Sequence, residues 1–158
     1  KKAGVDFVSA FTLNYSDEGQ GIVVAAKKQN LPVVISFTVE TDGKLPGGEK
    51  LGDAIKKIDK ETSNYPLYYM INCAHPTSFV NHLTKEQWTD RIRGIRANAS
   101  CKSHAELDQS TELDSGDKTE LASWYKTIQH KLPNLLVYGG CCGTDISHIE
   151  NICQKIAV

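Results

Sequence analysis

Long hydrophobic runs are missing from this chain, and so is an excess of either charge. No apolar stretch approaches the roughly 20 residues that a bilayer-spanning helix needs, and no secretory signal pattern opens the sequence. Lysine and arginine number 18 against 19 aspartates and glutamates, a formal net charge of −1 over 158 residues. That balance gives no electrostatic reason to expect nucleic acid or an anionic membrane as a partner. A disulfide framework is also missing: five cysteines are an odd number, and their spacing fits no such pattern. A reducing, cytoplasmic setting is the economical reading. An initiating methionine is lacking too. Lys1-Lys2-Ala3-Gly4 runs directly into a strand pattern, as in a segment of a longer chain.

What is present is a regular alternation. Apolar runs at Val5–Leu13, Val33–Val39, Leu67–Cys73, Ile92–Ala99 and Leu135–Gly140 read as strands. Between them lie helical patterns. One is capped at Tyr15-Ser16-Asp17-Glu18 and buries Ile22, Val23, Ala25 and Ala26. Others carry Leu51, Ala54, Ile55 and Ile58; then Phe79, Val80 and Leu83; then Leu121, Trp124, Tyr125, Ile128 and Leu132. A last helix after Thr144-Asp145 is expected to turn Ile146, Ile149, Cys153 and Ile156 inward. The stretch from Ser100 to Lys118 is polar and reads as a long functional loop. Near-continuous apolar strands between helices predict an α/β fold with a covered parallel sheet. An eight-unit barrel takes about 250 residues. The expectation is therefore the carboxyl-terminal five βα units of a (β/α)8 TIM barrel.

The chemistry gathers at strand ends. Cys73 closes the third strand, and Cys141 and Cys142 follow the fifth inside Gly139-Gly140-Cys141-Cys142-Gly143-Thr144. Adjacent residues of a strand face opposite ways, so both thiols converge only where the strand breaks, and the glycines permit that break. Three thiolates with a fourth position open is a coordination pattern of catalytic zinc. A redox pair at Cys141-Cys142 is a lesser reading. Cys101, in the polar loop, reads as incidental. Cys153 reads as a core residue. His75 is near enough to line the site, whereas His82, His104, His130 and His148 default to solvated surface.

Ile71-Asn72-Cys73 followed by Gly139-Gly140-Cys141-Cys142-Gly143 resembles the zinc signature of the homocysteine S-methyltransferase family, which includes betaine- and S-methylmethionine-dependent enzymes. The resemblance extends along the chain, including Ser36-Phe37-Thr38 and the Asn98 region. It implies that residues 1–158 are the carboxyl-terminal portion of a single homocysteine-binding barrel domain. It also implies zinc on Cys73, Cys141 and Cys142, and transfer of a methyl group to homocysteine to give methionine. The donor would be S-methylmethionine, betaine or S-adenosylmethionine. Asn98 resembles the family's asparagine after the seventh strand. Asn72, also at a strand end, could bind substrate or orient a ligand loop, and Thr38 and Glu40 are further candidates. One departure stands out. Better-known members have a glutamate before a threonine at the end of the first strand here, whereas this chain has Ala10-Phe11-Thr12. Either another acid such as Glu40 replaces that glutamate, or the substrate differs. Rival readings are a zinc or thiol sensor, a substrate-binding homologue without activity, and a barrel partner in cobalamin-dependent methyl transfer. The segment alone is expected to be inactive and, with unpaired strand edges, either to self-associate as a homo-oligomer or to be a stretch of a longer ordered chain.

Overall fold

The computed structural model describes residues 2–157. Five short strands form one sheet: β1 (Val8–Leu13), β2 (Val33–Phe37), β3 (Tyr68–Asn72), β4 (Ile92–Ala97) and β5 (Val137–Gly140). They lie in sequence order and every neighbouring pair is parallel. β2 is buried at all five positions, as a parallel strand covered on both faces must be. The helices are α1 (Ser16–Lys28), α2 (Leu51–Thr62), α3 (Pro76–Phe79), α4 (His104–Asp108), α5 (Lys118–Lys131) and α6 (Ile146–Ile156). Ile35, Phe37, Ile71 and Ile95 point to the helix side, where they join Val23, Ile55, Ile58, Leu121 and Ile128 in one buried core. Alternation sends Phe11, Ser36, Met70, Asn72, Gly94 and Arg96 to the opposite, inner face. β1 and β5 are the outer strands, so the described residues form a five-stranded parallel α/β sheet rather than a closed barrel. Among them no helix is long and apolar enough to cross a membrane.

Several local expectations are corrected. The helix drawn through Phe79, Val80 and Leu83 is a single turn, Pro76–Phe79, followed by a 3-10 turn at Val80–His82. A second 3-10 turn, Gln87–Arg91, leads into β4. The polar stretch after Ser100 contains α4, started by a capping box in which Ser103 and Glu106 satisfy each other's backbone amides. In α1, Val23 and Ala26 are buried but Ala25 is exposed. α6 is rotated from the expected phase: His148 and Ile152 are buried, whereas Ile146 and Cys153 are exposed. The cause is polar. The His148 ring bonds Asp145, the N-cap, through Nδ1 (2.8 Å), and its Nε2 donates to the Ser115 carbonyl (2.8 Å). That pair of contacts turns the 148/152 face inward, so neither His148 as surface nor Cys153 as core holds.

Candidate metal centre and acid-lined cleft

β3 ends at Asn72, and Cys73 turns away from the strand with φ of 53°. A left-handed conformation costs a non-glycine residue about 1–2 kcal/mol, so the surroundings must impose it. They do so at both ends of the residue. The Cys73 amide donates to the Arg96 carbonyl (3.1 Å). The Cys73 carbonyl accepts from Asn98 Nδ2 (3.1 Å), Thr38 Oγ1 (3.2 Å) and His104 Nε2 (2.6 Å).

The second turn is built differently. Cys141 N donates to the Ala97 carbonyl (2.8 Å), and the Cys141 carbonyl accepts from the Thr144 amide (3.1 Å) and hydroxyl (2.7 Å). Gly143 takes φ of 79°, and a Cβ there would collide with the Asp114 carbonyl. Just upstream, the Tyr125 hydroxyl of α5 donates to the Gly139 carbonyl and accepts from the Ala97 amide (3.0 Å), fastening β5 to β4. Burial pushes the Tyr125 phenol well above its usual range, so it stays a donor. Asn98 joins the two turns. Its Nδ2 holds the Cys73 carbonyl while its Oδ1 accepts from the Cys142 amide (3.2 Å).

The outcome is three sulfurs at one place. The Sγ atoms of Cys73, Cys141 and Cys142 lie within 4.8 Å of one another, against roughly 3.8 Å for the edges of a tetrahedron with Zn–S of ~2.3 Å. Cys73 and Cys141, with Cα atoms 5.4 Å apart, are in disulfide contact, which the cysteine spacing did not anticipate. Their separation of 68 residues hides the fact that both leave the same end of the sheet, on either side of β4. Cys142 is a free, exposed thiol. Reduced, the trio supplies three soft donors and leaves one side open, a donor set that suits zinc. Cys101 and Cys153 are exposed and stand outside the group.

A cleft of about 530 Å³ opens beside Cys73 and Cys142. Glu40, Asp108, Glu112 and Asp114 line it together with Thr38, Asn98 and His104, and among the described residues no lysine or arginine does. Asp114 is held at about 2 by the Gly116 amide first, then the Ser100 hydroxyl and Lys102. His104 was expected at the surface but sits at the cleft wall. Its Nε2–H donates to a carbonyl, and its Nδ1 faces Glu40 Oε1 at 3.0 Å. A carboxylate only accepts, so both ring nitrogens carry protons in this arrangement. Burial acts to lower the His104 pKa, but the Cys73 carbonyl and Glu40 outweigh it and the net shift is upward.

The remaining candidates separate. Thr38, Glu40 and Asn98 border the cleft. Asn72 does not: its Oδ1 accepts from the Thr12 amide (2.9 Å) and the Ser36 hydroxyl (2.5 Å), and its Nδ2 donates to Thr12 Oγ1 (2.7 Å). That amide ties the ends of β1, β2 and β3 together. His75 caps α3 and packs edge-on against Trp124. Thr12, bent to φ of 58°, places its hydroxyl 4.0 Å from Cys73 Sγ. Sequence reasoning gave neither Thr12 nor His104 a role; the Ser103-x-x-Glu106 capping signal was the one readable pointer to α4.

Comparison with known proteins agrees with this geometry. The family model of homocysteine S-methyltransferase matches residues 1–156. The homocysteine methyltransferase MmuM from Escherichia coli, in its apo form, superposes with a TM-score of 0.69 at 17% identity, over 98% of this chain and 51% of that one. A probable tagatose 6 phosphate kinase from Sinorhizobium meliloti 1021 superposes at 0.58 with 12% identity, over 96% and 44%. At such identities the two structures show a shared fold alone, and the chain spans about half their length. Among curated proteins none matches. The match along nearly the whole sequence decides the affiliation: the chain belongs to the homocysteine S-methyltransferase family.

Proposed function

We propose that this chain is the zinc-holding, carboxyl-terminal part of a cytoplasmic S-methyltransferase that methylates homocysteine to methionine, and that its five units continue into an eight-unit barrel. The carrying observation is the trio of Cys73, Cys141 and Cys142 beside an acid-lined cleft. Zinc bound there supplies a Lewis acid that keeps the acceptor sulfur deprotonated at neutral pH.

The chain's own residues do the remainder. Asn98 and the Cys73 carbonyl contacts hold the three sulfurs in place before any ligand arrives. The cleft carboxylates favour a small cationic donor, a sulfonium such as S-methylmethionine or S-adenosylmethionine, or the quaternary ammonium betaine. Thr38 and Glu40 border the donor's approach, and Asn72 keeps three strand ends in register beneath it. In the transfer the acceptor thiolate's electron pair forms the new sulfur–carbon bond. The donor's bond to that methyl breaks, its pair staying on a neutral thioether or tertiary amine, and the thiol proton goes to solvent. Alignment of donor and sulfur supplies the orientational part of the rate. Alone, the chain binds metal and thiol without turnover, because barrel sites draw on loops from many strands.

Metal analysis of the reduced chain tests the reading. One zinc per chain is expected, lost for the most part on changing Cys73, Cys141 or Cys142 to serine. Full zinc content in all three variants would sink it.

A further inference from the structure

The inner face of the sheet carries a cation that no acidic side chain among the described residues neutralises. Arg96, near the end of β4, lays its guanidinium over the Phe11 ring of β1, 5.1 Å from its centroid, reaching across β2 and β3. Its neighbour on β5 is Gly139, where a Cβ would stand 3.1 Å from Arg96 Cγ. The missing side chain leaves room for the arginine stem. Arg96 Nε donates to the Gly140 carbonyl (3.3 Å), one residue before Cys141. The Arg96 carbonyl receives the Cys73 amide. The cation is thereby tied to both thiol-bearing turns.

Among the described residues Arg96 makes no ion pair, and its two terminal nitrogens have no protein acceptor. None of the five strands contains an aspartate or glutamate. An arginine is charged at every relevant pH, and an aromatic ring beneath it fixes the guanidinium plane while leaving its N–H fork outward. That is an arrangement for receiving a carboxylate. Neither Arg96 nor Phe11 lines the acid cleft, so the cation that bonds the residue before Cys141 stands apart from the cleft's carboxylates.

We propose that Arg96, backed by Phe11, binds the carboxylate of the acceptor. The acceptors of this chain are then carboxylate-bearing thiols, with the amino group unread on the inner face. This rests on the acceptor reading above and refines it. A cationic donor in the acid cleft and an anionic acceptor tail at Arg96 bring the thiolate and methyl group to the sulfur trio from two directions.

Calorimetric titration of the reduced, zinc-loaded chain tests this with homocysteine, its deaminated analogue mercaptobutyrate and its decarboxylated analogue aminopropanethiol. Mercaptobutyrate should bind at least about tenfold more tightly than aminopropanethiol, as a charge-assisted pair implies. Arg96→Gln should close that gap by weakening the carboxylate thiols alone, with zinc content unchanged, and Arg96→Lys should keep much of it. If Arg96→Gln fails to hold zinc, the wild-type ratio and the Arg96→Lys variant decide. An undiminished gap in Arg96→Gln, or a wild-type chain that prefers aminopropanethiol, overturns the assignment of Arg96 and leaves the methyltransferase reading standing. Failure of all three thiols to bind overturns both.

Discussion

Cys73 and the Cys141-Cys142 pair arrive at one point from turns of opposite construction. Cys73 is a non-glycine residue in a left-handed conformation, kept there by three side-chain donors on its carbonyl. Those donors come from Thr38, Asn98 and His104, which the fold must first assemble. The cysteine pair instead relies on its own neighbours: Gly143 takes the left-handed position and Thr144 closes the turn. The first turn is therefore a product of tertiary structure, and the second is mostly local. The Asn98 side chain bonds the backbone of both, Cys73 on one side and Cys142 on the other. The contrast teaches where each thiol is vulnerable, the first to changes far away in sequence and the second to changes within a few residues.

Asn98→Ala should have the largest effect, because it releases both turns at once. Zinc affinity should fall roughly 10- to 100-fold, the range for lost outer contacts of metal ligands. Competition with a chelator measures it, and an unaltered affinity would remove Asn98 as the common support. Gly143→Ala attacks the local turn. It should cost about 1–3 kcal/mol in chemical denaturation, with the Cys73 amide resonance staying put. Thr38→Val attacks the other side and should cost about 1 kcal/mol, one hydrogen bond among three. Here the Cys73 amide should shift and that of Cys142 should not; a reversed pattern would show that the two turns are not separately supported.

The smallest effect is on the loop behind the pair. Asp114 is depressed to about 2 in the fold from 3.8, so its bonds to Gly116, Ser100 and Lys102 stabilise above the unfolded value. They are lost as pH falls from about 3.8 to about 2. Amide exchange at Gly116 should quicken through that window while Cys73 stays protected. Quickening that begins near neutrality would assign it to another group.

The same contrast marks what could be read in advance. The five strands and the placement of all three thiols at strand ends followed from hydrophobic alternation and from glycines around Cys141-Cys142, which are local signals. His104 was not readable as a site residue, since its partners Cys73 and Glu40 lie 31 and 64 residues away. The phase of α6 failed for a related reason. Ile146, Ile149, Cys153 and Ile156 form a plausible stripe, but the bond from His148 to Ser115 fixes the rotation, and Ser115 lies in a loop. Asn72 was legible as a polar residue at a strand end. Its saturation by Thr12 and Ser36 required the pairing of three strands.

The sequence separation of 68 between Cys73 and Cys141 has a consequence for the unfolded chain. Any link between those sulfurs, a shared metal or a disulfide, closes a loop containing α3, β4, α4, α5 and β5. A closure of that length removes chain entropy from the denatured ensemble equivalent to about 4 kcal/mol. The link thus opposes the unravelling of everything between the two turns. Severing it should lower the melting temperature of that span while α1 and α2, which lie outside the loop, keep their own contacts.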